Sequence, residues 1–272
     1  MTIETEPRAD APLAERESPL FVASLEKAMQ VLGALAEAGQ PLSLADLARI
    51  TGLGRSAVQR FAFTLKALGY LVQDELTRKY LLSARMMEFG EAYSGVSAVQ
   101  DIAYPILEAV NTQCQETVNL TVLDGMEVVY VLRFPSHHVV SVNLRIGSRL
   151  PIFCSAPGRA MLAHLPLDEV RQAVASSPLV KMTEFTETEP DAVMMRIRAA
   201  HGLGYAINDQ EAFLGDISVA AAVRNRKGQP VAAVNIAVPT PRWTAEKVES
   251  ELGPLVKKAA ENISALLGWK AG

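Results

Sequence analysis

Cysteine is scarce: 272 residues carry two, Cys114 and Cys154. Two cysteines build no disulfide framework, and they fit a reducing compartment. Histidine is equally sparse, with four residues at His137, His138, His164 and His201. With cysteines and acids scattered between them, the spacing groups no three or four ligands, so no metal centre is expected. No apolar run approaches the ~20 residues that a bilayer span needs, and no membrane partner is expected. The opening MTIETEPRADAPLAERESP has neither a basic start nor an apolar core. It reads as a disordered tail over residues 1–19 and not as a secretory signal, which points to a cytoplasmic protein. Walker loops, G-x-G-x-x-G, G-x-S-x-G and H-E-x-x-H are all missing, so no catalytic residue and no cofactor is expected. Nor is there a surplus of positive charge, the net charge being −4.

That last deficit is unevenly spread. Residues 1–19 carry −3, residues 20–83 carry +2, and the remainder carries −3. A mildly basic module therefore sits between acidic parts. Its centre is SLADLARITGLGRSAVQRFAFTLKALGY, residues 43–70. Apolar positions Leu44, Leu47 and Ala48, then Val58, Ala62, Leu65 and Leu68, follow the helical spacing on either side of Gly52-Leu53-Gly54. Two short helices joined by such a turn form a helix-turn-helix, whose second helix can enter a DNA major groove. On its polar face lie Arg55, Ser56, Gln59 and Arg60, side chains that bond phosphates and base edges. A helical hairpin with a merely solvated face fits the same pattern.

Around this centre the order of elements is as follows. Ser24 is placed to cap a helix through Ala38 with an apolar stripe at Leu25, Ala28, Leu32 and Leu35. Ser43 and Asp46 have the spacing of a capping box. Tyr70–Gln73 and Lys79–Leu82 read as two strands flanking a polar turn at 74–78, which makes the module a winged helix with Arg78 and Lys79 at the wing. A helical stretch over 84–97 serves as linker, and Met86, Met87, Phe89 and Tyr93 give it a large apolar content suited to core packing or to a contact between copies. Residues 98–272 form a second domain. TVNLTVLD and EVVYVLRF make a hairpin across Asp124-Gly125-Met126. A strand is expected over 139–147, then helices over 156–165, 167–176 and 190–201. Three more strands precede a helix capped by Thr244. The class is α+β with an antiparallel sheet.

Two features of the second domain bear on chemistry. Cys154 with His164 or His201 could form a Cys–His nucleophile, giving as alternative a metabolite-processing enzyme with a fused helical module. Cys154 stands in an apolar context before a helix, which favours an inert buried thiol. The run RLPIFCSAPGRAMLAH would instead leave backbone N–H groups near Ser155 to Gly158 at a helix start, where anions bind. A winged helix that binds proteins and not DNA is a third reading of the first module.

Taken in order, SLEKAMQVLGALAEAG, SLADLARITGLGRSAVQRFAFTLKALGYL, RKYLLSARMMEFG, RIGSRLPIFCSAPGRAMLAHL and HGLGYAINDQEAFLGDISVAAAVRNRKGQPVAAVNIAVP resemble the IclR family of bacterial transcriptional regulators. The resemblance implies a winged helix-turn-helix joined by a linker helix to a GAF-like effector-binding domain. It also implies a homodimer or dimer of dimers on double-stranded operator DNA, and a small organic effector that controls a catabolic operon. DNA contacts are then expected from Ser43, Arg55, Ser56, Gln59, Arg60, Arg78 and Lys79. Effector contacts carry over to Ala156, Pro157, Gly158, Asn208, Ser218, Asn235 and Ala237, with Leu144, Ile146, Phe153 and Met161 as apolar walls. Departures matter here. Where a family member with a small-keto-acid effector has an acid, this chain has Asn208. Where that member has Cys, this chain has Ser218, and where it has two Ser, Asn235 and Ala237. These changes move the expected ligand toward a neutral or aromatic one.

Overall fold

A computed structural model describes residues 16–96, 98–138 and 144–270. The chain divides into two compact units, Met1–Val96 and Ser97–Gly272. In the first, helix α1 (Ala23–Ala38) packs on α2 (Leu44–Thr51) and α3 (Arg55–Ala67). Val31, Leu35, Leu47, Val58, Ala62 and Leu65 form the buried centre. The expected stripe of α1 is corrected at its start: the cap is Val22 and not Ser24, and Leu25 is 61% exposed. The core reaches only the second half of that helix. The capping box of α2 is present, with Ser43 Oγ accepting from Asp46 N and the Asp46 carboxylate accepting from Ser43 N. The Ser43 hydroxyl and then the Ser43 N–H, both donating to that carboxylate, hold the Asp46 carboxyl below its usual value. Gly52, at φ 68°, supplies the left-handed residue that ends α2 and turns the chain toward α3.

Strands β1 (Leu71–Gln73) and β2 (Tyr80–Leu82) pair antiparallel as the wing, and Leu42 bridges to Tyr80. Asp74 Oδ1 accepts from both Thr77 N and Thr77 Oγ1 at 2.7 Å and sets the turn. A 3-10 turn (Ala84–Met86) leads into α4 (Met87–Val96). This start is fastened to the end of α3: Arg85 Nη1 donates to Leu68 O at 2.7 Å and Ser83 Oγ to Gly69 O at 2.5 Å. The Arg85 guanidinium also lies over the Tyr70 ring at 5.0 Å, and Phe89 stacks on Tyr70 at 5.8 Å. Of the expected tail, residues 1–15 lie outside the described residues. Arg16 is not loose, since its guanidinium meets Glu26 at 2.5 Å.

The second unit is a six-stranded antiparallel sheet in the order β5 (Arg149–Pro151), β4 (Glu127–Phe134), β3 (Thr117–Asp124), β8 (Pro230–Pro239), β7 (Asp216–Arg224), β6 (Ala206–Asp209). Alternation along β7 and β8 sends Val219, Ala221, Val223, Val234 and Ile236 to one face. There they meet α5 (Ala98–Cys114), Val248 and Leu252, and α10 (Gly253–Leu266), while the short α9 (Ala245–Lys247) buries no side chain. Ala220, Ala222 and Ala233 point the other way, under α6 (Ala156–Leu162), α7 (Leu167–Ser176) and α8 (Pro190–Leu203). Small side chains there let α6 lie close to the sheet. A π-helical turn (Val248–Leu252) separates α9 from α10. It adjusts the register before Pro254, which has no N–H to donate and crowds the carbonyl four residues back. Part of the strand expected at 139–147 lies outside the described residues. The remainder is corrected: residues 145–148 form a turn with Gly147 at φ 87°, and the strand is the short β5. No helix among the described residues is long and apolar enough to cross a membrane.

Candidate functional sites

The first candidate site is the outer face of α3. Val58, Ala62 and Leu65 are buried, so Arg55, Ser56, Gln59 and Arg60 are turned to solvent on one helix. Lys66 reaches from the last turn to Gln73 Oε1 at 3.2 Å, which ties the helix to the wing. Arg78 and Lys79 are both exposed at the wing turn. Arg78 holds a left-handed backbone at φ 58°, and its carbonyl accepts from Gln73 Nε2 at 3.0 Å. Ser43 is placed differently. Its hydroxyl accepts from Asp46 N at 3.1 Å and donates to Asp46 Oδ2 at 2.7 Å, so it is committed to the start of α2. These bonds position the helix start.

The second candidate site lies on the α6 side of the sheet. A small cavity of about 10 Å³ is bordered by Tyr130, Leu144, Leu150, Ser155, Pro157 and Asn208, and by Ala212, Phe213, Asp216, Ser218 and Ala237. That is about the room one water needs. Five expected residues, Leu144, Pro157, Asn208, Ser218 and Ala237, therefore meet at one place. Ala156, Gly158, Phe153 and Met161 are buried without bordering the cavity, and the last two belong to the core. Ile146 is corrected: it sits in the 145–148 turn, 65% exposed, and forms no wall. Asn235 is buried beside its cross-strand neighbour Asn119. Neither amide nitrogen, nor the Asn235 carbonyl oxygen, has a hydrogen-bond partner among the described residues.

The anion site expected at the start of α6 is largely spent. Pro157 has no N–H, and Gly158 N donates to Ser155 Oγ at 3.3 Å. Gly158 is there for space: a Cβ would stand 2.3 Å from Ile152 O. Ser155, marked in the sequence as part of the helix start, also borders it, and Tyr130, Leu150, Ala212, Phe213 and Asp216 complete the border without having been singled out by the sequence. One signal was available for Asp216. It begins the apolar run of β7 and shares the face of Ser218, two residues on.

Holding this border in place is a buried ion pair that the sequence also did not reveal. Arg159 and Glu211 are about 1% exposed in their side chains. The guanidinium grips the carboxylate at 2.5 and 2.7 Å and donates through Nε to Phe153 O at 2.7 Å. Arg196, half exposed, adds a 2.5 Å bond to the same carboxylate. Glu211 N donates to Asn208 Oδ1 at 3.1 Å, and Asn208 Nδ2 donates to Cys154 O. Asn208 is thus fixed on both sides of its amide.

Cys154 is fully buried, 3.6 Å from Met182 Sδ. Burial pushes its thiol up to about 12, so it is protonated at neutral pH and has no thiolate to attack with. His164 lies with its ring 5.5 Å from that of His201, and burial lowers it to about 4. These groups do not assemble the nucleophile that the enzyme reading needs. A larger hollow of about 290 Å³ between α7 and α8 is open to solvent and bordered by Arg171, Asp191, Met194, Met195 and Arg198. It is not taken as the site, because no unpartnered buried group is aimed into it.

A winged helix-turn-helix followed by a helix-flanked antiparallel sheet domain defines a ligand-responsive DNA-binding protein by its parts. A model of the IclR helix-turn-helix domain matches residues 24–75, and one described as bacterial transcriptional regulator IclR C-terminal matches residues 92–265. The chain belongs to the IclR family of bacterial transcriptional regulators. It is 29% identical over 246 residues to the Pca regulon regulatory protein of Pseudomonas putida, covering 90% of this chain and 84% of that one. A regulator structure from Rhodococcus sp. RHA1 is 34% identical, with a TM-score of 0.78 over 91% of this chain and 98% of that one. An IclR homologue from Microbacterium hydrocarbonoxydans, solved with 4-hydroxybenzoate, has a TM-score of 0.76 at 26% identity, over 90% and 98% of the two chains. These likenesses speak against an enzyme.

Proposed function

We propose that this regulator acts in the cytoplasm as a homodimer or dimer of dimers. Each α3 reads a half-site through Arg55, Ser56, Gln59 and Arg60, while Arg78 and Lys79 hold backbone phosphate. The observation that carries this is the split of α3 into a buried apolar face and an exposed face of these four side chains. Dimerisation doubles a contact set that one weakly basic module supplies sparsely. The exposed apolar side chains Val22, Leu25 and Met29, at helical spacing on the start of α1, are suited to a second copy. A small organic effector, carboxylic or aromatic, binds among the side chains around Asn208, Ser218 and Ala237, which part to admit it because the space between them holds about one water, and it alters DNA affinity through the linker helix. Support for such an effector, and for a catabolic operon as target, comes from the Pca regulon protein and the 4-hydroxybenzoate complex among the relatives. Linkage then requires DNA to change effector affinity by the same factor.

The test is an Arg60→Ala protein titrated against its own upstream DNA by fluorescence anisotropy. Loss of one base or phosphate contact is expected to cost about 1–3 kcal/mol. A folded variant that binds at wild-type strength would remove α3 as the reader. Lys79→Ala is expected to weaken all sequences alike and to flatten the salt dependence by about one unit in log–log slope. A loss confined to particular base pairs would mean that the wing reads bases.

A further inference from the structure

Among the groups bordering the cavity, Asp216 is the anomaly. It is 7% exposed, it borders the cavity, and among the described residues its Oδ1 has no hydrogen-bond partner. Among the described residues on the border the other titratable group is Tyr130, with no Lys, Arg or His there to balance an acid. Burial raises the Asp216 carboxyl to about 7. A buried polar atom without a partner costs stability, and a group kept in that state inside a binding pocket awaits one from the ligand. Ionised, Asp216 offers acceptors only; protonated, it still keeps an acceptor on its carbonyl oxygen. Pro157 has no N–H and Gly158 N is taken by Ser155, so a carboxylate on the ligand would use the Tyr130 and Ser218 hydroxyls on the border. Across the space stand apolar side chains, Leu144, Leu150 and Phe213.

We propose that Asp216 selects the effector, accepting a hydrogen bond from a hydroxyl or ammonium group carried on a small apolar body that rests against Leu144, Leu150 and Phe213. This assignment rests on the effector reading above and names the chemistry that the site requires. A ligand lacking such a donor leaves the carboxyl as orphaned as before, so discrimination comes from an unmade bond and not from shape.

The experiment measures affinities by calorimetry for two matched pairs, 4-hydroxybenzoate against benzoate and 4-(aminomethyl)benzoate against 4-methylbenzoate. Wild type is expected to bind the donor-bearing member of at least one pair tenfold or more tighter, and the pair that shows it tells hydroxyl from ammonium. In Asp216→Leu, which fits the apolar border, that preference is expected to fall below about threefold. Asp216→Asn keeps an acceptor without the charge, so it should retain a hydroxyl preference and lose an ammonium one. Equal binding within both pairs by wild type, or a preference that survives in Asp216→Leu, overturns the assignment. Ala237→Leu, which fills the cavity from the neighbouring strand, separates this failure from a deeper one. If it leaves binding unchanged, the ligand sits elsewhere and the effector site falls with the assignment. If it abolishes binding while Asp216→Leu alters no preference, only the role of Asp216 falls. Binding of none of the four compounds by wild type overturns both.

Discussion

Glu211→Leu is expected to destabilise the sheet domain by about 5 kcal/mol, and Arg159→Met by about 3 kcal/mol, in urea unfolding at neutral pH. The two differ because of what each leaves behind. Without Glu211, the Arg159 guanidinium stays fully buried with Phe153 O as its one remaining hydrogen-bond partner among the described residues. Without Arg159, the Glu211 carboxylate keeps Arg196 at 2.5 Å and Glu187 N at 3.1 Å, and Arg196 already reaches solvent. The double variant, apolar at both positions, is expected to recover most of the loss, because the desolvation cost of both charges disappears together. Losses that add would show that the pair is not coupled. The bond from Glu211 to Asn208 is donated by the backbone N–H, so it survives both substitutions unless the 208–211 turn itself shifts.

A second large effect is expected at Asp216. Its carboxyl titrates near 7 when folded and near ~3.9 in an unfolded chain. Between those values the folded protein keeps a proton that the unfolded chain has released. Stability therefore falls as pH rises from about 4 to 7, and the penalty is complete above 7 and absent below 4. Asp216→Asn removes the group that titrates. Relative to wild type it should gain up to about 4 kcal/mol between pH 4 and pH 8, read as the difference in unfolding free energy at the two values. A constant difference would mean that Asp216 is ionised in a solvated environment. The same substitution that stabilises the protein should cost it any preference for an ammonium group while keeping one for a hydroxyl, the usual trade at a site that leaves a group unsatisfied.

Much of the architecture was legible. The helix-turn-helix, the capping box, the hairpin at Asp124–Met126 and strand β8 could be read because each is specified by residues close together in sequence. The α+β class followed from them. Long-range pairings were not legible. Arg159 and Glu211 are 52 residues apart, and Glu116, buried under Arg242 at 2.8 Å and Trp243 at 2.9 Å, is over a hundred from both. Local periodicity carries no information about such partners. Leu25 and Ile146 failed for a related reason. Hydrophobicity says that a side chain favours burial, while exposure depends on whether another element arrives to cover it. For the cavity, alternation along the strands placed Ser218 and Ala237, which pair directly across β7 and β8. Asp216 was passed over because an acid at a strand start normally ends in solvent.

The bonds at the start of the linker have a mechanical meaning. Arg85 takes the carbonyl of Leu68, the residue that caps α3, Ser83 takes that of Gly69, and both Arg85 and Phe89 rest against Tyr70. A helix held this way at its base cannot swivel independently of the one it grips. A twist of the first turns of α4 is passed as torque to α3, without slack to absorb it. A signal of a few degrees would then arrive at Arg55 and Arg60 as a change of aim.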